Sequence, residues 1–113
     1  MDILAVVIFA AVAGFGSLMT LRIARKDPIP GNWPVMHAIA GGAGLIVLLM
    51  AQLSETGNMM GWIAFGIFAA AMVGGAFLFG IVYRGKERPL IVALAHGSLG
   101  YAGLIALLLA VFG

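Results

Sequence analysis

Ten charged residues divide the 113-residue chain into four uncharged stretches, residues 3–21, 28–54, 56–83 and 89–113. No other feature constrains the fold as strongly. A helix needs roughly 20 mostly apolar residues to cross about 30 Å of hydrocarbon. Each stretch suffices for one such helix and is too short for two. The expected helices cover about residues 3–22, 33–53, 60–83 and 89–112. A transmembrane β-barrel would need short alternating strands, and these continuous runs do not alternate. The first stretch reads as a retained span and not as a signal peptide, because Asp2 precedes it and basic residues follow it.

Composition agrees. The chain is 64% hydrophobic and 9% charged, whereas soluble domains are about half apolar and roughly a quarter charged. So short a chain could not hide that much apolar surface from water. Intrinsic disorder is excluded on the same ground. The absence of cysteine excludes disulfide scaffolds, thiolate zinc sites and cysteine catalysis. The expected partner is the lipid bilayer, and no nucleic-acid partner is expected.

All six basic residues fall in two places. Arg22, Arg25 and Lys26 follow the first stretch; Arg84, Lys86 and Arg88 follow the third. The connection at 54–58 carries Glu55 and no base. The positive-inside rule therefore puts both basic loops in the cytoplasm and both termini outside. Trp33, Tyr83 and Trp62 are expected as interfacial anchors.

Shifting the chain against itself by 59 positions, without a gap, aligns residues 1–54 with 60–113 and makes 18 of 54 pairs identical. Arg25 meets Arg84, Pro30 meets Pro89, and the chain's only two histidines, His37 and His96, meet each other. Each half would be a helix hairpin of the same orientation, so the repeats would be parallel, related by a pseudo-two-fold axis along the membrane normal. Short connections favour antiparallel neighbours. The expected fold is an all-α membrane protein, one domain over 1–113, forming a four-helix transmembrane bundle of two parallel hairpin repeats, 1–54 and 60–113.

Each histidine lies seven residues after its proline and is followed by 17 residues of its repeat. Both imidazoles are thus expected at matched depth, within about a turn of the cytoplasmic edge of the hydrocarbon. Gly41 and Gly44 stand at i+4 and i+7 from His37, and Gly100 and Gly103 stand likewise from His96, on the face of each histidine. Glycine weakens a helix, so four on these faces call for a reason. Close helix packing is one. A flat ligand between the helices is another, and a porphyrin whose iron is held by two imidazoles needs that shape. Ionisable groups inside membrane spans are rare and mostly functional. Haem propionates, as carboxylates, would suit Arg25 and Arg84, although setting topology explains those arginines without any ligand.

Four membrane helices with paired histidines on parallel helices resemble the small b-type cytochromes of energy-transducing membranes, including quinone-linked and superoxide-handling kinds. The resemblance rests on architecture and on His-x-x-x-Gly-x-x-Gly occurring twice, at His37 and His96. Such cytochromes carry two haems on four histidines. Two histidines suffice for one haem b per chain, held by His37 and His96 as axial ligands. The resemblance implies electron transfer in a bacterial inner membrane, with a quinone, superoxide or a partner redox protein. Catalysis of its own is left open, as is a homodimer sharing a haem.

Two other classes compete: a small transporter or channel, and a non-catalytic assembly subunit, with no cofactor or with a transition-metal or proton site at the histidine pair. Small multidrug exporters depend on a carboxylate in the first helix, and residues 3–21 hold none. The seven methionines form no dense soft-ligand array for copper. Ser17, Thr20 and Ser98 are expected to bond carbonyls of their own helices. Pro34 is expected to delay the second helix, and Tyr101, which replaces Gly42 in the repeat, to fill space, the alternative being to pack against one face of a cofactor.

Overall fold

The computed structural model describes residues 2–78 and 89–113. It contains four helices: α1 (Asp2–Ala24), α2 (Asn32–Gln52), α3 (Met59–Ala76) and α4 (Leu90–Phe112). No strand occurs among the described residues. All four helices are long and apolar enough to cross a membrane. Tyr83, Arg84, Lys86 and Arg88, together with the expected end of the third helix, lie outside the described residues.

The helix ends follow local chemistry. Asp2 opens α1 and Arg22 sits in its last turn, each on the favourable side of the helix dipole. Lys26 then takes a left-handed backbone, φ 57°. Its N–H reaches the Ile23 carbonyl while that of Asp27 reaches Arg22, the paired bonds of a Schellman stop. Pro34 does not delay α2. It stands in the first turn, where backbone N–H groups have no partner within the helix and a missing one costs little. Asn58 caps α3, its Oδ1 accepting from the Gly61 N–H at 2.9 Å.

Asn58 also fastens one end of the bundle. Its Nδ2 donates to the Ala110 carbonyl on α4 at 3.1 Å, and its own carbonyl accepts from Gln52 Nε2 at 2.8 Å. Gln52 is the one buried polar side chain in the described core. Gly61 makes room for its amide, since a Cβ there would overlap it.

Each helix packs against its sequence neighbours, and α1 also packs against α4, which closes the ring; α1–α3 and α2–α4 are the diagonals. The molecule measures 44 × 20 × 19 Å. Its core is thin: Ala5, Phe9, Leu48, Ala64, Phe68, Ala106 and Leu107. Phe9 and Phe68 stack across the α1–α3 diagonal with centroids 3.7 Å apart and planes 3° from parallel. Small alanines permit that approach. Large apolar side chains such as Ile39, Ile46, Ile91 and Phe112 point outward and are more than half exposed, an apolar exterior of the kind soluble monomers avoid.

Gly44 and Gly103 seat the two phenylalanines. A Cβ on Gly103 would stand 2.8 Å from Phe68 Cε1, and one on Gly44 would stand 2.9 Å from Phe9 Cζ. Gly103→Ala should therefore destabilise the bundle by about 1–3 kcal/mol through overpacking. Thermal unfolding in detergent measures this. Adding Phe68→Leu, which shortens the obstructing ring, should return part of the loss.

Candidate functional site

Above the phenylalanine stack the four helices part around a cleft of about 1020 Å³. Both histidines line it. His37 comes from α2 and His96 from α4, the helices on one diagonal of the bundle. Their ring centroids lie 6.2 Å apart with planes at 72°. Among the described residues the lining holds no Asp, Glu, Lys or Arg, and its other polar side chains are Ser17, Thr20, Ser98 and Tyr101.

Each imidazole leans on a neighbouring helix. A Cβ on Gly16 of α1 would lie 2.9 Å from His37 Cε1, and one on Gly75 of α3 would lie 2.7 Å from His96 Cε1. The backbone of Val12 is the hydrogen-bonding neighbour of the His37 ring, and that of Ala71 serves the His96 ring. Gly16 and Gly75, like Val12 and Ala71, are 59 positions apart. His37 Nδ1 is buried and makes no hydrogen bond of ordinary geometry.

Of the glycines expected beside the histidines, Gly41 and Gly100 line the cleft. A Cβ on Gly100 would meet nothing within 4 Å, and one on Gly41 only the mobile end of Met72 at 3.7 Å. Gly44 and Gly103 do not line it; they lie under the phenylalanine rings. Arg25 is exposed at the end of α1 and is not part of the lining. Arg84 lies outside the described residues. The arginine engaged nearby is Arg22, stacked 4.7 Å over the Trp33 ring and donating to the Pro28 carbonyl at 3.0 Å. Trp33 touches Phe15 at 5.2 Å, and Phe15 faces His37 at 6.3 Å.

Ser17 and Thr20 bond carbonyls of their own helix, Ala13 and Gly16, at 2.8 and 3.0 Å. Tyr101 does more than fill space. Its hydroxyl meets Ser17 Oγ at 2.5 Å and so ties α4 to α1 at the cleft wall.

Two neutral imidazole nitrogens, each about 2.0 Å from a shared metal, put the ring centres about 6 Å apart. The observed spacing matches that requirement. Protein ligands alone would not complete a metal site: no group of three or more His, Cys, Asp or Glu suited to a metal exists among the described residues, whereas zinc takes three or four. A metal brought in with its own planar ligands would need only the two axial donors. The residues present fit such a group.

No protein-family model matches the chain, and no match was found among curated proteins or solved structures.

Proposed function

We propose that the chain is a membrane-embedded b-type cytochrome that binds one haem through His37 and His96 and transfers electrons within or across the membrane. The observation that carries this reading is the 6.2 Å spacing of two imidazoles within one large cleft whose described lining carries no charged residue. Bound there, with His37 and His96 holding its iron, iron protoporphyrin would supply one-electron transfer.

The chain's own residues do the holding. The backbone of Val12 stands beside the His37 ring and that of Ala71 beside the His96 ring, where they would orient the imidazoles as second-shell partners orient metal ligands. Gly16 and Gly75 let the rings lie against α1 and α3. Gly41 and Gly100 keep the walls uncrowded, and Phe9 with Phe68 closes the far end. Gly44 and Gly103 serve by seating those phenylalanines. Arg25 and Arg84 would pair with propionates at the interface. The electron partner is a quinone, superoxide or another redox protein.

The proposal includes the architecture: two parallel hairpin repeats with both termini outside and both basic loops in the cytoplasm of a bacterium. Like surroundings at positions 59 apart support the repeat: Gly16 with Gly75, Phe9 with Phe68, and Gly44 with Gly103. The apolar exterior supports the bilayer.

A reduced-minus-oxidised absorption spectrum of purified protein tests the function. The expected result is the sharp α and β bands of a six-coordinate low-spin haem. Protein that stays colourless after expression with ample haem would sink the reading, and copper or zinc bound at the pair would favour a metal site instead. For topology, single cysteines at Thr56 and Lys26, both exposed, should label from opposite sides of intact membranes. Thr56 is chosen because the adjacent Asn58 caps α3.

A further inference from the structure

The two long sides of the cleft differ. Between α1 and α4, Tyr101 reaches Ser17, whose hydroxyl is tied to the Ala13 carbonyl. Tyr101 and Ser17 share a hydrogen bond in which either hydroxyl can donate, and the Tyr101 hydroxyl also donates toward the Ala13 carbonyl at 3.5 Å. The positions 59 residues away, on the side between α2 and α3, are Gly42, Ala76 and Met72. There the space left by Gly42 is approached by the Met72 side chain, whose Cε would lie 3.5 Å from a Cβ at Gly42. One side carries a stiff aromatic ring held by a hydrogen bond. The other carries a flexible thioether over bare backbone. Around the imidazoles themselves, Gly16 matches Gly75, whereas Phe15 faces His37 and Gly74 holds the corresponding position beside His96.

A haem b is also two-sided. Turning it by 180° about the in-plane axis between its propionates exchanges its faces and swaps its two vinyl-bearing edges. A pair of imidazoles related by a two-fold axis cannot tell these orientations apart. Only a feature that breaks the two-fold can. Resting on the haem reading above, we propose that Tyr101, held by Ser17, is a positioning residue that makes the cleft accept haem in one of its two facial orientations. A ring with two torsions, fixed at its far end, yields little to a vinyl group, whereas a methionine adapts to either edge.

The hyperfine-shifted haem methyl resonances of the ferric low-spin protein read the orientations separately. Wild type should show one set in about tenfold excess or more, equivalent to about 1.4 kcal/mol. Two triple variants make these three pairs of positions alike by opposite routes. Ala13→Met/Ser17→Ala/Tyr101→Gly removes the tyrosine; Gly42→Tyr/Met72→Ala/Ala76→Ser adds a second. Each should bring the two sets to within about twofold of each other. Loss of packing cannot account for both, and either variant decides the matter if the other fails to fold. Equal populations in red wild-type protein, or a wild-type excess retained in a folded variant, would overturn the proposal while leaving the haem reading intact. Colourless wild-type protein would remove the haem reading itself.

Discussion

Alanine in place of either His37 or His96 should abolish the low-spin spectrum, leaving a five-coordinate high-spin haem or an empty site. The size of the effect follows from the donor set. No third histidine exists in the chain, and no other group of metal-ligating side chains forms among the described residues. On the haem reading each imidazole would be half of the protein's ligation of the iron, so nothing would replace it. The cleft, at about 1020 Å³, has room for an imidazole from solution. Added imidazole should therefore restore the low-spin bands in His37→Ala and His96→Ala. Optical titration follows both the loss and the rescue. A low-spin spectrum that survives either substitution would show that the iron takes its ligands elsewhere.

Gly16→Leu and Gly75→Leu should each weaken haem binding by about five- to 150-fold, the range that an overpacking cost of about 1–3 kcal/mol spans. Even the first carbon of a side chain at these positions would stand 2.9 or 2.7 Å from a histidine Cε1. The imidazole would have to swing away from α1 or α3, losing its backbone partner and the spacing from its mate. Gly14→Ala and Gly66→Ala are the controls. A Cβ at either meets nothing within 4 Å, so both should keep full affinity and gain slightly in helix stability. Affinity is measured by haem titration of the apoprotein, and circular dichroism checks that the helices persist. Unchanged affinity in both leucine variants would mean that the rings do not ligate where they rest against these helices.

Much of this was legible in the chain because charge placement and apolar run length are coarse, robust signals. Four stretches became four helices, and their ends moved by only a residue or two where the structure describes them. The histidine pair was legible through the 59-residue spacing. The contacts of the imidazoles were not. Attention to i+4 and i+7 selected glycines on the histidines' own helices, but a helical side chain leans back toward the N-terminus and outward. What it meets is a neighbouring helix, and no periodicity within one helix reveals that. The identity of Gly16 and Gly75 under the same shift was the available sign. Tyr101 was likewise read from its size, while its role came from a hydroxyl on α1 that only the packing brings near.

Gln52, Asn58 and Gly61 fasten the end of the bundle farthest from the histidines, and the stacked phenylalanines reinforce it part-way along. Beyond that stack the helices enclose the cleft, and Met19 and Leu78 are the large, fully buried side chains described on that side. The two ends of the bundle thus divide the labour: a polar clasp keeps the helices assembled at one, which frees the other to be shaped by what fits between its walls.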